Sequence, residues 1–213
     1  MDPADFQLLH LALHEMRTPL TSVQLNAQLI ERSVARLGLE NEGRLAENIV
    51  SAARKLDELT QELADMARLC SGKTTLDLRV HDLARLLPEI LSRQVRTSDN
   101  HRVRTMVPDR PLPVTADARR LERIVGNLIR VGLRLDVLGT GIDLRVNAGE
   151  AEVEISVAAP ASTSDTAPVV PSGDELGLGF LLARILVECH GGKLEVQREP
   201  AREVVFRFSL PRG

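Results

Sequence analysis

Leu9-His10-Leu11-Ala12-Leu13-His14-Glu15-Met16-Arg17-Thr18-Pro19-Leu20-Thr21-Ser22-Val23 sets the period that decides the fold. Apolar residues recur at Leu9, Leu13, Met16, Leu20, Val23, Ala27, Ile30, Val34 and Leu37, in unbroken alternating steps of four and three. That is the heptad seam of a helix made to pack on another helix. Gly38-Leu39-Glu40-Asn41-Glu42-Gly43 reads as a turn. A second seam then follows at Leu45, Ile49, Ala52, Leu56, Leu59, Leu63, Met66 and Cys70. The short turn makes the two helices antiparallel neighbours. A lone hairpin would leave one side of each seam wet. A second copy of the chain closes a four-helix bundle, so a homodimer is expected.

Within that first helix, His14 follows the seam residue Leu13 and can face solvent beside the seam. Thr18 lies one turn further on the same face. Pro19 cannot donate to the carbonyl of Glu15 and should loosen the backbone there. An imidazole that titrates near neutrality is a nucleophile at physiological pH, and a neighbouring carboxylate can take the proton it releases. His10 lacks the Glu and Pro context and reads as a solvated residue.

After Ser71-Gly72-Lys73 the period changes. Strands are predicted over Thr74–Val80, His101–Val107, Gly141–Val146, Glu152–Val157, Lys193–Gln197 and Glu203–Leu210. Helices are predicted over His81–Gln94, Asp117–Leu135 and Leu178–Cys189, the last stopping at Gly191-Gly192. Ala158–Asp174, rich in Ala, Ser, Pro and Thr, reads as a mobile loop. The fold class is therefore α+β. Residues 1–72 form a helical hairpin of a dimeric four-helix bundle, and residues 73–213 form an α/β sandwich.

Composition narrows the function. Aromatic residues are 2% of the 213, with no Trp or Tyr, which argues against a single-stranded nucleic-acid binder built on aromatic stacking platforms. The net charge of −3 points to no polyanion partner. No apolar run approaches the roughly 20 residues of a membrane span, and Met1-Asp2-Pro3-Ala4-Asp5 lacks a signal-peptide pattern. Two cysteines are too few for a disulfide framework, so a reducing cytoplasm is the expected compartment. Cys189-His190 has no partner at zinc-ligand spacing. A buried thiol and a helix-ending histidine are expected there, and no metal site.

His14-Glu15-Met16-Arg17-Thr18-Pro19-Leu20 closely resembles the phosphoacceptor box of HisKA-type histidine kinases, His-Glu-x-x-Thr/Asn-Pro-Leu. The resemblance implies that His14 carries phosphate, that Glu15 is the base, and that Thr18 positions water during dephosphorylation of a response regulator. In that family the bundle precedes an ATP-binding sandwich of the Bergerat type, and the likeness continues there. Asp117 to Ile129 resembles the N box, with Asn127 as its first asparagine. Gly177-Leu178-Gly179-Phe180, with Arg184 and Val187 to Gly192, resembles the G2 box and its helix. A Gly-rich turn opening a helix presents backbone N–H groups to phosphate. Asn127, Gly177 and Gly179 are thus the candidate nucleotide residues.

Departures from the family pattern fall at that site. Val131 stands where the family has a second Asn facing the Mg-triphosphate, Gly132 replaces an Ala, and Arg134 replaces a Lys. Ala159, Ala161 and Thr163 stand where the Asp-x-Gly-x-Gly box should be. A hydrogen bond to a charged group contributes roughly 1.5–3 kcal/mol, so the missing Asp alone costs one to two decades of affinity. The missing Asn removes an oxygen that a hard Mg²⁺ would use. ATP and Mg²⁺ are accordingly not expected to bind as in intact family members. The expected function is a phosphorelay between His14 and the receiver domains of response regulators. The alternatives are an ATP-dependent kinase autophosphorylating His14 and a non-catalytic module that docks a response regulator.

Overall fold

The structure, a computed structural model, describes residues 15–16, 18–23, 25–30, 32, 48–53, 56, 59–60, 75–160, 173–199 and 203–213. The chain divides into two compact units, Met1–Thr74 and Thr75–Gly213.

All described residues of the first unit are helical. Pro19 sits buried within the helical stretch. Polar side chains there return to their own helix: the Asn26 Nδ2 donates to the Ser22 carbonyl at 2.8 Å, and the Thr60 hydroxyl to the Leu56 carbonyl at 2.8 Å. Such back-bonding satisfies polar groups without a partner element. Large apolar side chains remain exposed in the single chain: Leu20, Leu25, Leu29 and Val50.

In the second unit, β1 (Arg79–Asp82) leads into α1 (Leu83–Gln94). The Asp82 carboxylate caps α1 by accepting from the Ala84 N–H at 3.1 Å, and it also accepts from the Leu112 N–H at 2.9 Å. A short 3₁₀ turn, Thr97–Arg102, precedes β2 (Val103–Met106), and β3 (Pro113–Ala116) follows. Then come α2 (Ala118–Leu135), β4 (Ile142–Ala148), β5 (Glu152–Pro160), α3 (Gly173–Cys189), β6 (Glu195–Glu199) and β7 (Glu203–Pro211).

The main sheet runs β2-β4-β5-β7-β6, with β2 parallel to β4 and every other pair antiparallel. β1 and β3 form a separate antiparallel pair. α2 lies over β4 and β5 and packs on α1 and α3. Between the layers, Ile124 and Leu128 of α2 join Ile155, Val157, Phe206 and Phe208 of the sheet, all fully buried or nearly so. Phe180 of α3 meets Phe206 of β7 with ring centroids 5.8 Å apart, tilted by 51°. These rings supply what a core poor in aromatics has for pinning α3 to the sheet.

Several elements differ from the sequence reading. β3 appears where no strand was predicted. β5 runs on through Ala158, Ala159 and Pro160, which had read as the start of a loop. Their register opposite Val205, Val204 and Glu203 explains the extension: the partner strand supplies the order that Ala and Pro lack intrinsically. The first strand starts at Arg79 rather than Thr74. His101 belongs to the 3₁₀ turn rather than to β2. The helical residues of α3 begin at Gly173, interrupted at Gly177.

Candidate functional site

α2 carries the N-box residues. The Asp117 carboxylate caps it by accepting from the Arg120 N–H at 3.1 Å. Its first turn is also tied to the end of α3. In the tautomer with a proton on Nδ1, His190 donates to the Leu186 carbonyl at 2.7 Å, and its Nε2 accepts from the Asp117 N–H at 3.2 Å. Both ring nitrogens are thereby used within the fold. Among the described residues, no group of three His, Cys, Asp or Glu is placed to hold a metal. Cys189 is exposed rather than buried.

At its other end, α2 is fixed by Asp136, whose side chain has no exposed surface. It accepts from Arg102 Nη2 at 2.9 Å, from the Thr140 N–H at 2.9 Å and from the Gly141 N–H at 2.8 Å. Burial alone would raise this carboxyl, but the Arg102 guanidinium and the two backbone donors outweigh burial and hold it below its ordinary value.

Between these anchors the candidate nucleotide residues converge. Asn127 is buried, at 3% exposure, on the face of α2 that meets α3. A Cβ placed on Gly179 would lie 3.7 Å from the Asn127 Oδ1, so the N-box asparagine and the second G2-box glycine are in van der Waals proximity. Gly177 breaks α3 with φ 76° and ψ −178°, a conformation glycine adopts without strain. The Arg134 guanidinium donates to the Leu176 carbonyl just before that break.

The same arrangement does not fit a metal-nucleotide. The Asn127 Oδ1, the atom a divalent cation would take, accepts from the Arg130 Nη2. Arg130 also donates through Nη1 to the Gln94 Oε1 at 3.1 Å. Gln94 closes α1 and in turn donates to Glu122 at 3.0 Å. It reaches across α2 because Gly126 has no side chain there; a Cβ at 126 would sit 2.5 Å from the Gln94 Oε1. Val131 is 3% exposed and offers no oxygen. Ala159 is fully buried, one residue before the end of β5 and opposite Val204, and its methyl offers no hydrogen-bond acceptor. Ala161 and Thr163 lie outside the described residues. Sequence reasoning missed Arg130 and Gln94. Arg130 stands three residues after Asn127, on the same helix face, which is the only local signal it gives.

Of the phosphoacceptor residues, His14 lies outside the described residues. Glu15 is half-buried and Thr18 exposed, both helical.

Two domain families match this chain. Residues 6–72 match the His Kinase A (phospho-acceptor) domain. Residues 116–213 match the Histidine kinase-, DNA gyrase B-, and HSP90-like ATPase. A phospho-acceptor helical unit followed by an ATPase-type α/β unit is the core of a two-component sensor. The chain belongs to the two-component histidine kinases.

Among its relatives are the sensor protein KdpD of Clostridium acetobutylicum, 23% identical over 96% of this chain and 24% of that protein, and the sensor histidine kinase MtrB of Mycobacterium bovis, 29% identical over 93% and 37%. The adaptive-response sensory kinase SasA of Parasynechococcus marenigrum is 26% identical over 98% and 57%. The chain thus spans between 24% and 57% of the length of these relatives. The fold is shared with the histidine kinase AdeS of Acinetobacter baumannii, at TM-score 0.74, 16% identity and coverage of 94% and 98%. It is also shared with histidine kinase ThkA in its complex with the response regulator TrrA, at TM-score 0.65, 21% identity and coverage of 94% and 60%. No helix among the described residues is long and apolar enough to cross a membrane.

Proposed function

We propose that this kinase core works as a phosphorelay: His14 takes a phosphoryl group from the aspartyl phosphate of one response-regulator receiver and passes it to another. A ring nitrogen of His14 attacks phosphorus, the acyl phosphate P–O bond breaks, and the receiver's aspartate leaves as carboxylate. Glu15, the next residue in the sequence, takes the proton released from the ring. Phosphoryl transfer of this kind needs positioning and charge stabilisation, and the receiver brings its own cation for that. A response regulator is the natural partner class, since ThkA was solved with one and shares this fold. The apolar Leu20, Leu25, Leu29 and Val50, left exposed on a single chain, support a homodimeric bundle. A cytoplasmic location suits this chemistry.

The observation that carries the reading is the occupied Asn127: its one carboxamide oxygen accepts from Arg130, and no other N-box oxygen is available at Val131. Incubating the chain with a ³²P-labelled receiver should label His14, and His14→Ala should stay unlabelled. If every receiver tried leaves the wild-type chain without label, the relay reading is wrong.

A second reading has specific support. Gly179 still meets Asn127, and Gly177 keeps the left-handed turn at the opening of the helix. Those features favour autophosphorylation of His14 from ATP, which labelled ATP alone, with no receiver present, would reveal.

A further inference from the structure

Arginines of the second unit commonly face carboxylates, as Arg102 faces Asp136 and Arg145 faces Asp143 and Glu203. Arg130 and Arg134 differ. Among the described residues, Arg130 meets the amide oxygens of Gln94 and Asn127, and Arg134 meets the Leu176 carbonyl. Both residues are exposed, and their acceptors among the described residues are uncharged, so no described carboxylate pairs with either guanidinium. They lie one turn apart on α2 and run along the opening of α3. Asn127, beside Arg130, faces Gly179, while Arg134 reaches the carbonyl that precedes the Gly177 break.

Arg130 is held there by construction. Gln94 comes from a different helix, and its approach depends on the missing side chain at Gly126. Two acceptors from two elements fix the guanidinium over the one oxygen a divalent cation would need. Its remaining N–H groups stay available to an anion, for which the fork geometry of a guanidinium is suited.

We infer that Arg130 takes the place of the divalent cation in this cleft, and that the cleft binds a polyphosphate anion without Mg²⁺. A metal ion on the Asn127 Oδ1 would have to displace the guanidinium and would gain no second ligand from Val131. An anion asks for no displacement. It meets Arg130 and Arg134 on α2 and the opened turn at Gly177 on α3.

The test is a calorimetric titration of the full chain with sodium tripolyphosphate, in EDTA and in excess Mg²⁺. Saturable binding in EDTA is expected, with Mg²⁺ leaving it unchanged or weakening it. In EDTA, Arg130→Gln should weaken binding roughly tenfold or more, as expected when a charge-assisted contact to an anion is lost. Arg130→Lys, which keeps the charge and loses the fork, should fall between. Arg130→Ser combined with Val131→Asn should turn Mg²⁺ from neutral or inhibitory to favourable. The inference is overturned if tripolyphosphate fails to bind in EDTA, if binding requires Mg²⁺, or if Arg130→Gln leaves the affinity in EDTA unchanged. Should a variant melt early, the metal dependence of the wild-type chain decides the matter alone. Labelling of His14 by a phospho-receiver does not depend on this cleft, so the relay reading and this inference fail separately.

Discussion

Replacing Gly126 by Ala tests whether Gln94 lies across α2 as described. In a helix interior the change gains about 1 kcal/mol of intrinsic propensity. Against this, the new Cβ would sit 2.5 Å from the Gln94 Oε1 and 2.9 Å from its Cδ, too close to coexist. The clashing atoms are the far end of a flexible, half-buried side chain, so Gln94 swings out instead of straining the backbone. It then gives up its bonds to Arg130 at 3.1 Å and to Glu122 at 3.0 Å. Each is worth about 0.5–1 kcal/mol at partly exposed positions, where water takes over. The terms nearly cancel, and Gly126→Ala should change stability by less than about 1 kcal/mol, or about 3 °C in Tm.

The sharper readout is a double-mutant cycle. Gln94→Ala should cost about 1 kcal/mol in the wild-type background and close to nothing in the Gly126→Ala background, giving a coupling of about 1 kcal/mol. Urea unfolding followed by circular dichroism measures all four proteins. Equal costs of Gln94→Ala in the two backgrounds would refute the placement of Gln94 over Gly126. So would a loss above about 2 kcal/mol in Gly126→Ala, because a side chain free to move cannot impose it.

Two further substitutions probe the frame that holds the cleft. Asp136→Asn should cost about 3 kcal/mol at neutral pH, since it breaks a buried pair and turns an amide toward N–H donors. The folded carboxyl titrates below its ordinary value of 3.8, so its stabilisation is complete above that pH and is lost as pH falls through the lower folded value; wild-type and variant melting curves should converge on acidification below 3.8. Phe206→Ala removes a fully buried ring that packs against Phe180, and should destabilise the second unit by about 3–5 kcal/mol in chemical unfolding, with tripolyphosphate affinity falling as α3 loosens.

How much could be read from the chain alone depended on how local each signal was. The helix after Asp117 was legible because its cap and its apolar period both lie within the segment. The strands around Leu144, Ile155 and Phe206 were legible by alternation and apolar content. β3 was not: Pro111 and Pro113 dominate its reading, yet Pro113 is the first residue of the strand, where proline is tolerated, and Val114 and Ala116 turn inward. Its partner, β1, lies some thirty residues earlier, beyond any local window. Ala158 to Pro160 likewise became a strand through β7 rather than through their own propensity. At the candidate site, the motifs marked Asn127 and Gly179, which the fold brings together, and Gly177, where the helix breaks. Gln94 was not legible, because what matters is its reach onto another helix, and the only mark left in the sequence is the glycine at 126.

The side chains at positions 130 and 131 share one physical basis. A cation bound to the Asn127 oxygen would sit about 2.1 Å from it. The Arg130 nitrogen already lies within hydrogen-bond distance of that same atom, so the two charges would stand about 4 Å apart. A doubly charged ion and a guanidinium at that separation repel by about 8 kcal/mol at an effective dielectric of about 20. No single ligand oxygen offsets such a term. Ion and arginine are therefore alternatives at this position, and once the guanidinium is present a second metal ligand at 131 has nothing to bind. An apolar Val131 then costs nothing in binding and gains burial between α2 and its neighbours. On this account, adding Asn at 131 alone should leave the cleft indifferent to Mg²⁺, because the obstacle is the charge next to it.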